Sequence, residues 1–191
     1  MQVVEPLRPI TLRAHPLVFG VVLFLASELM FFGGMFAAYF DLRSQTARWP
    51  PANVHLNLLE SSIGTFILAL SSISMLYVTR SLQRNEIDHA RYGLFGTIML
   101  ALVFLAIAIH GWGNNTFTVA SHAYGSLFYT MTGFHALHVS AGIILLILLF
   151  FGISMRQFAG DDRAGAEGVT YYWHFVFVVW LGIWATIYLI R

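Results

Sequence analysis

The sequence predicts an all-α membrane protein, a bundle of five transmembrane helices with its N-terminus inside and its C-terminus outside. Two observations carry the class. Of 191 residues 58% are apolar and 10% charged, and the apolar residues fall in long unbroken blocks instead of on one side of a helical period. A third observation carries the orientation, because every basic residue other than histidine is arginine. Arg8, Arg13, Arg80, Arg84, Arg91, Arg156 and Arg163 lie in the N-terminal tail and the second and fourth connections. Only Arg43, Arg48 and Arg191 lie on the opposite side, so the first set marks the inner face.

The spans follow in order. The first, 17–40, is too long for the core of a signal peptide and reads as a retained helix. Residues 58–79, 92–112, 126–153 and 172–190 supply the other four, and the whole chain, 1–191, reads as a single transmembrane domain. The connections DLRSQTARWPPANVHLN, RSLQRNEIDHAR, GNNTFTVASHAYG and RQFAGDDRAGAEGV hold the charges and turn-formers. Trp49, Trp112, Tyr124 and Tyr171 fall near span ends, where an aromatic belt would sit. With no cysteine, disulfides, thiolate metal sites and a cysteine nucleophile are excluded together. A net charge of +1 gives no electrostatic case for nucleic acid.

Polar residues inside the spans are the candidates for function. Glu28 is the one charge between Leu17 and Phe40 and falls near mid-membrane, where a charged side chain costs on the order of 2.5 to 3.5 kcal/mol on insertion scales. Its helical neighbours Phe24, Leu25, Phe31, Phe32 and Met35 favour an uncharged, protonated acid, which still needs a hydrogen-bond partner. Glu60, a few residues into the second span, suits a capping or interfacial role. His135 and His138 stand at i, i+3 in the fourth span, His110 ends the third and His174 opens the fifth. With alternating helix directions these imidazoles lie at different depths, which favours buried interhelical hydrogen bonds over a shared metal or haem. Gly33 and Gly34 followed by Ala37 and Ala38, and Ala136 followed by Ser140, have the four-residue spacing of small residues that lets helices approach closely.

Three ordered segments then carry a resemblance. SELMFF at 27–32, GSLFYTMTGFHALHV at 125–139 and YYWHFVFVVW at 171–180 resemble the signatures of subunit III of haem-copper terminal oxidases, in its five-helix form. The resemblance implies a subunit without its own redox centre, packed on oxidase subunit I beside subunit II. Haem and copper would sit in those partners and phospholipid against this chain. It implies support of sustained turnover, with effects on proton or oxygen access, in a respiratory plasma membrane. It also matches Glu28 to the family's membrane-embedded carboxylate. Two departures limit the likeness: Phe177 stands where the family usually has Asp, and FLAIAIHGW at 104–112 lacks the family's Gln and Glu. A polar network between the third and fifth spans is therefore expected to be missing or rebuilt. Other readings stay open: a relative attached to nitric oxide reductase, a quinol oxidase subunit, and, from another class, a small stand-alone transporter. The transporter would be expected to show a repeat or broken helices, and neither is visible.

Overall fold

The computed structural model describes residues 15–52, 54–155 and 163–190. Arg8, Arg13, Arg156 and Arg191, on which the predicted orientation partly leans, lie outside these residues. Five helices follow in order: α1 (Pro16–Ser44), α2 (Leu58–Gln83), α3 (Ile87–Gly113), α4 (Ala123–Ser154) and α5 (Ala164–Trp184). The last turn, Ala185–Leu189, is π-helical, with the Ile190 N–H donating to the Ala185 carbonyl. All five helices are long and apolar enough to cross a membrane, and no strand occurs among the described residues.

Local chemistry sets the helix ends. Pro16 occupies the first turn of α1, where a missing N–H costs nothing, and His15 Nδ1 accepts from the Leu17 N–H. Asn57 caps α2 by accepting from the Glu60 N–H at 3.2 Å. Between α2 and α3 the chain reverses through Asn85 at φ 60°, a left-handed conformation that Asn tolerates better than most side chains, and the Glu86 N–H closes back on the Ser81 carbonyl. His122 caps α4 in the manner of Asn57, its Nδ1 accepting from the Gly125 N–H at 2.8 Å. The helices outrun the predicted spans, most of all at α5, which starts at Ala164 instead of 172. Hydropathy marks the membrane-crossing part of a helix, whereas α5 begins earlier, with Ala164 and Ala166 buried and Glu167 exposed.

Helix α5 touches α1, α2 and α4. It runs parallel to α1: Leu17 and Val21 lie over Gly168, Phe36 over Gly182, and the Arg43 guanidinium donates to the Ile190 carbonyl at 2.8 Å. Glycines on α5 are thus what lets the α1 side chains approach. The predicted small face of α1 does not do this. Gly33, Gly34, Ala37 and Ala38 all point away from the bundle, and a Cβ on either glycine would meet nothing within 4 Å. The four-residue spacing does not say which side of α1 the rest of the chain covers. On α4, Ala136 is buried and Ser140 half-buried, its hydroxyl donating to the Ala136 carbonyl.

Between α2 and α5, which run antiparallel, the contact is polar along its whole length. Thr79 meets Thr170 at 3.1 Å, Ser72 meets His174 Nδ1 at 2.7 Å, and Trp173 Nε1–H donates to Ser71 Oγ at 3.2 Å. At the far end Trp180 Nε1–H donates to Thr65 Oγ1 at 2.9 Å. Helices α2 and α3 form the most extensive pair, held close at Gly93, whose carbonyl accepts from Ser74 Oγ at 3.0 Å. The expected aromatic belt is only partly realised. Tyr171 is exposed, but Tyr124 is enclosed and Trp49 packs edge-on against both Tyr39 and Tyr124.

Candidate functional site

Glu28 meets His138. Its Oε2 lies 2.9 Å from His138 Nε2, which joins α1 to α4 across the middle of the bundle. His138 Nδ1 is 2.7 Å from the Phe134 carbonyl one turn back, and a carbonyl only accepts, so Nδ1 carries a proton. A single proton therefore lies between Nε2 and Oε2. Either the carboxylic acid donates to a neutral ring or an imidazolium donates to a carboxylate, and the net charge of the pair is zero in both forms. Tyr172 O–H donates to the His138 carbonyl at 3.0 Å, bringing α5 into the same site, and Phe32 covers the imidazole edge-on at 5.1 Å.

The acid is not fully enclosed, contrary to the expectation of a buried carboxylate. Its side chain keeps 21% of its surface, because α1 leans on the outside of the bundle and leaves most of its circumference uncovered. Glu28 thus sits at the boundary between the fold and whatever lies against α1. Chemically, the arrangement can hold one proton and shift it between two helices without a change of charge.

The other histidines separate by depth. His135 is 1% exposed, its Nε2–H donating to the Val176 carbonyl at 3.1 Å, between the rings of Phe104 and Trp180. His174 belongs to the α2–α5 contact through Ser72. Among the described residues no three His, Cys, Asp or Glu side chains converge as metal ligands. Phe177, where an Asp would be usual for the family, is a half-buried apolar residue packed on the core, and α5 finds polar partners on both α2 and α4. The Ser and Thr residues of α2 were the available signal for the first of these. They recur through the span, but periodicity does not say which helix they face.

Glu60 does not itself cap α2 but pairs with α3. Its backbone N–H is capped by Asn57, and its Oε1 lies 2.7 Å from His110 Nδ1 at the end of α3. A negative charge in the first turn of α2 is also favoured by the helix dipole. The pair stands at the mouth of a cleft that descends between α2, α3, α4 and α5 to His135.

Fold and site together define a multi-pass helical membrane protein whose intramembrane polar groups are paired between helices. The family model described as "Cytochrome c oxidase subunit III" matches residues 11–190. The chain is 37% identical over 180 residues to a Nocardia farcinica protein named "Probable cytochrome c oxidase subunit 3", covering 90% of this chain and 87% of the relative. It is 35% identical over 178 residues to "Cytochrome c oxidase subunit 3" of Corynebacterium diphtheriae, with the same coverage. Against the protein of that name from Bos mutus grunniens it is 37% identical over 177 residues, 89% of this chain and 68% of the longer relative. The chain belongs to the cytochrome c oxidase subunit III family.

Proposed function

We propose that this chain is a non-catalytic subunit of a haem-copper terminal oxidase in a bacterial plasma membrane, packed through α1 against subunit I, with subunit II in the same complex. In this reading haem and copper belong to the partner subunits, and phospholipid lies against the remaining apolar surface. The N-terminus is inside, following the arginine count, and the Glu28–His138 pair keeps α1 in register with α4 while its proton remains available at the interface.

One observation carries the reading. Helix α1 is the least covered of the five, with Leu23, Met30 and Phe40 exposed beside the small residues Gly33, Gly34, Ala37 and Ala38. Small residues on an open helix face suit close contact with another helix, and no helix among the described residues supplies it. The family assignment points to the same kind of neighbour. The experiment is extraction of the tagged chain in mild detergent, followed by identification of co-purifying chains and a reduced-minus-oxidised spectrum. A large haem-bearing subunit in stoichiometric yield, lost on Gly34→Leu with Ala38→Leu, is the expected result. Oxygen consumption with reduced cytochrome c and with a quinol then identifies the electron donor. Recovery of the chain alone, with no haem protein, would overturn the proposal.

A further inference from the structure

The cleft beside Glu60 has a free volume of about 130 Å³ and opens at the end of the bundle that carries the α2 N-terminus and the α3 C-terminus. Asn57, Glu60 and Asn114 line its mouth, Gly64 and Ala108 its sides, and His135 its floor. The volume is several times what one water molecule needs. An apolar cavity of this size stays dry, but a cavity with hydrogen-bonding groups at both ends fills.

His135 supplies the deep end. Because Nε2 gives its proton to the Val176 carbonyl, the neutral ring leaves Nδ1 as an acceptor, and Nδ1 has no hydrogen-bond partner among the described residues. Such an acceptor takes a hydrogen bond from water, and the cleft that the ring lines offers it a route to water. Gly64 keeps that route open. A Cβ there would stand 3.6 Å from both Phe104 and Ile107, so any longer side chain would extend into the cleft.

We propose that this cleft is a water-filled inlet through which His135 exchanges protons with the aqueous phase at that end of the bundle, the Glu60–His110 pair at its mouth receiving and releasing them. Water donates to Nδ1 at the floor, and further waters connect it to the Glu60 carboxylate. The titratable groups that line the inlet besides His135 are His55 from the first connection, Glu60 from α2 and Tyr188 from the last turn, and His110 of α3 joins them as the partner of Glu60. His138 lies one turn along α4 and is tied to Glu28 of α1, so its proton belongs to the other site. The inlet does not depend on which oxidase the chain serves or on which side the N-terminus lies.

The chain has no cysteine, so an introduced one is its only thiol. Thr132→Cys and Ala108→Cys would be placed in the complex in sealed vesicles and treated, from each side in turn, with a charged methanethiosulfonate. The thiolate, which forms only in contact with water, attacks the reagent's thiosulfonate sulfur and displaces methanesulfinate to leave a mixed disulfide. Both variants should react at least roughly ten-fold faster than Ile144→Cys, whose side chain is exposed on the apolar outside of α4. Adding Gly64→Leu should remove the difference. Deuterium exchange at the imidazole C2 position of the unaltered protein, read by mass spectrometry, needs no variant. His135 should exchange close to the rate of exposed His110 and well ahead of His174, whose Nε2 is enclosed without a partner. Absence of labelling from both sides, with His135 exchanging as slowly as His174, would overturn the proposal.

Discussion

At Glu28 the informative atom is on the other residue. Because the Phe134 carbonyl holds the Nδ1 proton of His138, a neutral imidazole presents Nε2 as an acceptor, and a side chain at position 28 must donate to satisfy it. Glu28→Gln keeps such a donor in its amide and should assemble with a stability near that of the parent. Glu28→Ala leaves Nε2 unpaired and should lower stability by about 1 kcal/mol, the usual scale of an interhelical hydrogen bond within a membrane. Thermal unfolding of the detergent-solubilised complex separates the two. Equal behaviour of Glu28→Ala and the parent, in stability and in activity over prolonged turnover, would remove any role for the pair. That Glu28 would have a partner was legible in the sequence, since a lone carboxylate in an apolar span calls for one. Its partner was not, because the depth of a residue follows from span boundaries while the direction it faces depends on how α1 is rotated against α4.

At the scale of the helix pair, side-chain hydrogen bonds join α2 to α5 along the bundle. Thr65→Val and Trp180→Phe remove the two ends of one bond and should each cost about 0.5 to 1 kcal/mol, with the double variant little worse than either single one. A double-mutant cycle on reversible unfolding in mixed micelles measures the coupling, and strict additivity would mean that the bond contributes nothing. Glycines give a sharper contrast. A Cβ at Gly142 would stand 2.8 and 2.9 Å from the ring of Trp173, which is fully enclosed, so Gly142→Ala should cost about 1 to 3 kcal/mol through overpacking. Gly34→Ala meets nothing in this chain and should leave the unfolding of the isolated chain unchanged, with any loss confined to assembly. Five helices and their order could be read from apolar blocks alone. The π-helical last turn and the early start of α5 could not, because both are set by packing and propensity outside the hydropathy signal.

For the whole molecule the uneven covering of the helices decides what removal of the chain would do. Helices α2 to α5 bury their polar groups against one another, whereas α1 presents an apolar and small-residue face to its surroundings with Glu28 at its edge. The intramembrane histidines each have a carbonyl, hydroxyl or carboxylate partner, which suits the proposed role in packing. Loss of such a subunit from an oxidase would bare apolar surface on its neighbour and disturb the adjoining lipid and water, while the neighbour's own haem ligands stay in place. Turnover should then begin near its normal rate and decay over successive cycles, faster than in the complete complex. Oxygen consumption by complexes with and without this chain, at matched haem content, measures both quantities in one experiment. An immediate loss of nearly all activity, with haem ligation intact, would mean that the chain supplies an essential catalytic group. Unchanged initial rate and unchanged lifetime would mean that the face of α1 meets lipid alone. Glu28→Ala in the complete complex should shorten the lifetime part of the way, since it loosens α1 without removing it.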